Sequence, residues 1–454
     1  MEIDFNQERK HLRLGDKRRE ERFEKVVTTL VNRPGTSIPE ANSKWYDVKA
    51  TYAFFKSDKV KEHLLSEAIH HATAERCKDE QLVLVVQDTT NVSFSSQADD
   101  LGYLDHGRGK GLMMHTALCL TGAGSPLGIV DHLIWARDVK QMGKTLARKS
   151  KPIEEKESYR WIQTLINTQY LLKDCKKIVT IADREADIYE LFTQGRPAGS
   201  HLLIRATHAR KSVLGNSIWD EVEATSAAAF FEIEIPRPDG GKKRIARLTV
   251  KHSLVVITPP DKSSLQSQIL NGIIVKEELP PKGDTALEWK LLTDLPVNTA
   301  EDVLQYVKWY SYRWKIERFH YILKSGCQIE QLQLHSAIQL RKALIVYAHV
   351  AYRLMWMLYQ SRERPDMPCN VALQQHEWEA LHSFYHKTFH APEQMPSLQQ
   401  AVFMIGRLGG FIGRKSDGLP GIKNLWRGMI RLRDIADTYL ALTSGTYKQN
   451  QSFG

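Results

Sequence analysis

Four polar residues in one short run have the types and spacing to grip a phosphate beside a metal ion: Tyr310, Arg313, Glu317 and Lys324. At about 100° per residue of helix they fall within an arc of roughly 60°. Trp309, Ile316, Phe319 and Leu323 fall on a separate apolar arc able to face a core. The polar stripe places a carboxylate between a guanidinium, an ammonium and a phenol. Upstream, the apolar run Leu82–Val86 ends in Gln87-Asp88-Thr89-Thr90, and Ile178–Ala182 ends in Asp183-Arg184-Glu185-Ala186-Asp187. Continuous apolar runs of this length read as buried central strands, and open α/β sheets place ligands just past the C-terminal ends of such strands. Asp88, Asp183 and Glu317 together form an oxygen-only donor set, suited to Mg²⁺ or Mn²⁺ rather than zinc. Taken singly, each Asp also fits a turn or helix cap, and the helix also fits a solvated charged face.

These residues need a scaffold, and the order of the elements supplies one. Strands are expected at 82–86, 115–121 and 127–135, then a helix near 155–172 and a strand at 178–182. Gly102, Gly107, Gly109 and Gly111 surround Arg108 and Lys110 in a flexible basic loop before the second strand. A β-rich stretch follows, with strands expected at 202–205, 230–236, 244–252, 273–278 and 288–293, punctuated by Pro259-Pro260 and Pro280-Pro281-Lys282-Gly283. It is long enough to be an inserted sheet rather than a loop. The polar-stripe helix comes next, then an apolar helix at about 336–360 and further helices to about 442. Ahead of the first strand, Asp16 can cap a helix that Pro34-Gly35 ends, and a second helix runs from about Asp47 to Phe55.

Composition narrows the function. The 454 residues carry a net charge of +10, with basic clusters at Lys17-Arg18-Arg19 with Arg22, at Lys242-Lys243-Arg244 with Arg247, and at Arg427, Arg431 and Arg433. Such an excess suits a polyanionic partner. The five cysteines (Cys77, Cys119, Cys175, Cys327 and Cys369) have no paired metal spacing, which favours a reducing compartment and no structural zinc. No apolar stretch approaches the roughly 18 residues that span a bilayer, and the polar N-terminus does not read as a signal peptide. A soluble, intracellular chain is expected. No nucleotide-cofactor loop is present, which argues against a basic metabolic enzyme.

Two strand-end Asp residues and a later helical Glu beyond an insertion resemble the DDE transposases. Tyr310-x2-Arg313-x3-Glu317-x6-Lys324 is similar to the Y-R-E-K signature of the IS-four family of bacterial insertion sequences. The resemblance runs nearly end to end. It includes Gly15-Asp16-x-Arg18-Arg19, Asp88-Thr89-Thr90, Asp183 to Ile188, Pro280 to Gly283, Trp289 in Trp-x-Leu-Leu-Thr, and Arg407 to Phe411. It implies an α/β fold: an RNase H-like core, a mixed sheet flanked by helices, with an inserted β-rich subdomain and helical N- and C-terminal domains. The expected boundaries are 1–75 for end-DNA binding, 76–365 for the catalytic domain with its insertion at about 195–300, and 366–454 for dimerisation.

The resemblance further implies a cut-and-paste transposase, cytoplasmic and nucleoid-associated in a bacterium. Asp88, Asp183 and Glu317 would bind two Mg²⁺ ions, with Mn²⁺ able to substitute. Tyr310, Arg313 and Lys324 would hold phosphate. Cleavage would pass through a hairpin, after which the 3′-OH ends would be joined to target DNA. Trp289 would stack on a flipped base and Arg205 would contact DNA near the site. Arg18, Arg19, Arg22 and Lys56 would contact the terminal inverted repeats. The partners are double-stranded DNA, both element ends and target, and a second copy of the chain, with helices around Val402–Arg407 and Leu425–Leu442 as the dimer contact. No membrane partner is implied. His115 and His320 are expected to orient neighbours or face phosphate, not to ligate. The chain departs from the family pattern at Tyr321, where the best-known member has a lysine, and around Asn32-Arg33 and Ala53, so its end sequence is expected to differ. The rival readings are a catalytically silent end-binding inhibitor or repressor and a structure-selective nuclease without end specificity.

Overall fold

The computed structural model describes residues 6–443, apart from 43, 96–97, 99, 105–108, 139–150, 214, 236–243, 261–262 and 389–391. Gly107, Arg108, Lys242 and Lys243 therefore lie outside the described residues, as do the ends of the expected terminal domains.

The chain opens with helices α1 (Asn6–His11), α2 (Lys17–Asn32), α3 (Ile38–Ala41), α4 (Trp45–Lys56) and α5 (Glu62–Cys77). Asp16 caps α2 by accepting from the Arg18 amide, and Ser37 with Glu40 forms a reciprocal capping box on α3. Between them Gly35 turns the chain at φ +78°, where a Cβ would lie 2.6 Å from the Gly326 carbonyl oxygen. Only glycine suits that left-handed turn against another backbone.

Strands β1 (Val83–Ser93), β2 (Gly102–Tyr103), β3 (Lys110–Thr121) and β4 (Pro126–Trp135) follow. Helix α6 (Tyr159–Leu171) then leads to β5 (Ile178–Ala182), α7 (Tyr189–Thr193), β6 (Ser200–Arg205) and α8 (Ile218–Glu223). The β-rich stretch supplies β7 (Ala229–Ile235), β8 (Arg244–Ile257), β9 (Gln268–Glu277) and β10 (Glu288–Thr293). Helices α9 (Ala300–Ser311), α10 (Trp314–Tyr321), α11 (Ala337–Glu363), α12 (Gln375–His386), α13 (Leu398–Leu408) and α14 (Ile422–Thr443) complete the chain.

The strands form one mixed sheet in the order β2-β3-β1-β5-β6-β10-β9-β8-β7, with β4 on the outer side of β3. β1 pairs antiparallel with β3 and parallel with β5, and β5 pairs parallel with β6. Two expectations change here. β6, placed at the start of the insertion by the sequence, pairs with β5 as a core strand. β10 then pairs antiparallel with β6, so the inserted strands extend the core sheet instead of standing as a separate one. Burial explains the centre: all five residues of β5 and Val83–Val86 of β1 are buried, as parallel strands covered on both faces must be. The apolar core continues from the sheet into α2, α4 and α11, and α11 is buried along most of its 27 residues. No described helix is long and apolar enough to cross a membrane.

Candidate active site

Asp88 and Asp183 meet because of strand register. Residues Val83 to Val86 pair with Ile178 to Ile181 in parallel. Carried two steps further, the same register sets Asp88 level with Asp183. Asp183 lies one residue past β5, as expected, and caps a short 3₁₀ turn by accepting from the Glu185 amide at 2.9 Å. Asp88 departs from expectation: it is not past a strand end but within β1, which stays paired with β3 as far as Ser93 opposite Gly111. The buried Val92, with the β-branched Thr89 and Thr90, suits that continuation.

Glu317 arrives on α10, which packs against β1. Lys315 anchors this helix: its ammonium donates to the Gly124 carbonyl of the β3–β4 turn and lies over the rings of Tyr312 (4.4 Å) and Tyr359 (4.8 Å). Burial lowers the Lys315 pKa to about 8. The single helix expected over Trp309–His320 is two. Bonds from Arg313 N to the Tyr310 carbonyl and from Ile316 N to the Arg313 carbonyl tighten the chain between α9 and α10. After α10 a π turn over Ile322–Gly326 widens it, closed by Cys327 N to the Ile322 carbonyl at 2.8 Å. Tyr310, Arg313 and Glu317 stay together through the first distortion. Lys324 sits in the π turn and bonds Asn91 Oδ1 at 3.1 Å, further along β1, while its charge still acts on His320.

The electrostatics record how close these groups are. Burial first, then the negative charges of Asp183 and Glu317, together raise Asp88 to about 7, against the opposing pull of the Thr89 amide and Arg313. Glu317 accepts from Arg313 Nη2 at 2.6 Å. His320 Nδ1 lies 3.6 Å from Asp88 Oδ2, and burial with the Lys324 charge pushes its pKa to about 3, so the imidazole is neutral. Burial raises the Tyr310 phenol, which lies near the charges of Arg313 and Arg205 and finds no partner of ordinary hydrogen-bond geometry.

Among the described residues no group of three or more His, Cys, Asp or Glu side chains stands ready to hold a metal ion. Even so, the donor set fits a divalent cation. Its members are carboxylates, and their mutual repulsion, seen in the raised Asp88, is what a cation relieves. Glu317 would have to turn from Arg313 to complete the set.

The other candidates divide. Arg205, opposite Leu291 at the end of β6, donates to the Glu288 carbonyl at 3.0 Å. Trp289 does not present a face for stacking: it is 3% exposed, paired with Val275, and meets Tyr310 edge-on with centroids 5.1 Å apart. Arg19 is tied to the Leu14 carbonyl and lies 3.7 Å from Asp16. Arg22 pairs with Asp47 at 3.0 Å. Arg18 and Lys56 are exposed.

A polar chain behind Asp88 was not foreseen. Arg160 of α6 donates from Nε to Thr89 Oγ1 at 2.9 Å and from Nη2 to Glu185 at 2.6 Å. Thr89 is 2.8 Å from His115 Nδ1, and His115 Nε2 is 3.2 Å from Gln87 Oε1. Gln87 Oε1 can only accept, so His115 carries its proton on Nε2 and Thr89 donates to Nδ1. Burial and the Arg160 charge hold His115 well below its usual pKa, which agrees with a neutral ring. Arg160 thus ties the neighbours of both aspartates to one helix. Asp187 is structural: it accepts from the Thr207 and His208 amides at 2.8 Å each and pairs with Arg210.

Comparison with known families gives three matches along the chain. The family described as Transposase DNA-binding matches residues 4–60, Transposase DDE domain matches 84–352, and Transposase Tn5 dimerisation domain matches 349–441. Among solved structures, one match is a cryo-EM structure of the piggyBac transposase synaptic complex with hairpin DNA. Its TM-score is 0.39 at 9% identity, covering 95% of this chain and 74% of that one.

Proposed function

For a chain that belongs to the Tn5-like DDE transposase family, we propose an active cut-and-paste cycle at specific terminal inverted repeats, carried by Asp88, Asp183 and Glu317. The family assigns a DNA transposase with DNA-binding and dimerisation domains around an RNase H-like core. The finer reading takes 1–75 as the end-binding domain, 76–365 as catalytic and 366–454 as dimerising. It includes a hairpin intermediate, cleavage within a synaptic homodimer and joining of 3′-OH ends to target DNA. The observation that carries it is the parallel register that sets the partly buried Asp88 level with Asp183, 95 positions on, with Glu317, 229 positions on, close enough for its charge to act on Asp88.

Asp88, Asp183 and Glu317 would hold two divalent ions, which when bound supply Lewis-acid activation of the attacking oxygen and stabilisation of the leaving oxygen. The chain's own groups do the rest. Arg313, now paired with Glu317, would be freed as Glu317 turns, and its planar fork suits a phosphate. Tyr310 lacks a well-formed partner and could donate to the same phosphate. Neutral His320 beside Asp88 adds no positive charge to compete with a cation. Arg160 would hold the two aspartate-bearing segments at one level. For Trp289 to receive a flipped base it must leave its contact with Tyr310, which would also open the phenol to the DNA.

The test uses the full chain and duplexes carrying the inverted repeats that flank its coding region, with Mg²⁺ or Mn²⁺. Wild type should nick and then hairpin the ends, while Asp88→Ala, Asp183→Ala and Glu317→Ala should bind ends within about threefold and cleave none. Cleavage near the wild-type rate by any of the three overturns the assignment. End binding without cleavage by wild type selects the silent repressor instead.

A further inference from the structure

We propose that Trp45 and Tyr46, adjacent in the first turn of α4, contact base and sugar edges of the transposon-end duplex and help to discriminate it from other DNA. The inference rests on the transposase reading above and names a recognition element within its N-terminal domain.

The two side chains are 69% and 70% exposed. They are not part of the helix's packing face, because α4 already buries Val48, Thr51, Phe54 and Phe55. A single exposed aromatic is ordinary, but two in succession leave a sizeable apolar surface in water. That surface is set among cations. Lys49 Nζ lies 5.4 Å from the Trp45 ring centre, and the Arg22 guanidinium lies 5.7 Å from that of Tyr46. Lys44 precedes the pair, and Lys25 is half-exposed nearby through its contact with Asp47.

The local acids are largely answered. Asp47, next to Tyr46, is buried and accepts from Arg22 at 3.0 Å and from Lys25 at 2.6 Å. Glu21, exposed on α2, stands 3.9 Å from Lys17. What remains toward solvent is an aromatic pair inside a basic rim. This complements a duplex groove, where base and sugar edges offer apolar contact, the thymine methyl included, while the phosphates flank them. An acidic protein partner would match the cations alone. Nucleic acid matches both parts, and the transposase DNA-binding family match spans residues 4–60.

The experiment measures binding of the full chain to end-carrying and random duplexes of equal length across a salt series. Trp45→Ala/Tyr46→Ala should lose about tenfold or more of the preference for the end, with the salt slope unchanged. Lys49→Ala should weaken both duplexes alike and reduce the slope by about one. Trp45→Phe/Tyr46→Phe should keep most of the preference, separating an aromatic contact from a folding defect. Thermal melting of the Ala pair should match wild type, since both side chains are exposed. Unchanged end preference in the Ala pair overturns this inference while the transposase reading stands. If wild type itself shows no end preference and no cleavage, the transposase reading fails first.

Discussion

Replacing Asp88 by Asn should stabilise the protein in the absence of divalent cations, and only where the carboxylate would otherwise be charged. Its pKa is about 7 in the fold against 3.8 for a free Asp, the rise coming from burial first and then from the charge of Asp183. Below about pH 4 both folded and unfolded chains carry the proton, so the group costs nothing. As pH rises toward 7 the unfolded chain ionises freely while the folded one resists, and stability falls. Above about pH 7 the full penalty is present. A gap of about three units at roughly 1.36 kcal/mol each is about 4 kcal/mol, an upper figure for a side chain with some solvent access. Asn keeps the acceptor for the Thr89 amide but not the charge. In EDTA the variant should therefore melt up to about 4 °C above wild type at about pH 8, with little difference at about pH 4. Added Mg²⁺ should raise wild type at the higher pH and leave the variant nearly unmoved. Equal melting of variant and wild type at the higher pH, or an equal gain at both pH values, would refute the argument that Asp88 sits in uncompensated negative surroundings.

Arg160→Met should lower end cleavage by roughly 10–100-fold with end binding unchanged, because it removes the tie between Thr89 and Glu185; Arg160→Lys, able to keep one of the two bonds, should fall between. A matching loss of Mn²⁺ affinity, read by direct titration of the metal, would separate positioning from general destabilisation. Glu8→Ala should cost about 3–5 kcal/mol, since it leaves Arg76 without a carboxylate 3.1 Å away in a site where Glu8 is fully buried. Thermal melting checks this, and a shift within experimental error would refute it.

Much of the site was legible because local rules and tertiary packing agree there. Asp183 follows five consecutive buried residues, and its apolar run could be little else than a central strand. Trp289 shows how strand alternation governs where a side chain rests in the chain without DNA. Glu288 is exposed and Trp289 and Leu291 are buried, so alternation along β10 already assigns the Trp to the covered face. Lys324 is reached across a π turn, which adds backbone that no constant-angle projection includes. Arg160 offered no signal at all: it lies 71 residues from Thr89 and reads as an ordinary cation on an amphipathic helix. Only the crossover from the first strands through α6 to β5 brings it behind both aspartates.

The pairing of Glu317 with Arg313 has a direct physical reason. Three ionised carboxylates cannot converge in a half-buried pocket unless positive charge enters with them. In the chain alone the nearest positive charge on the same helical turn is Arg313, four residues earlier, and Glu317 takes it at 2.6 Å. Asp88 and Asp183 have no such freedom, because strand register fixes them side by side, and the cost appears as the raised Asp88. The helix is thus the adjustable member of the set and the sheet the fixed one. When cations and a phosphate arrive together, the two halves of the ion pair acquire separate partners, the carboxylate a metal and the guanidinium a phosphate. Neither exchange is favourable without the other, since each would leave a charge unpaired. On this argument, completion of the cation site is coupled to the presence of DNA.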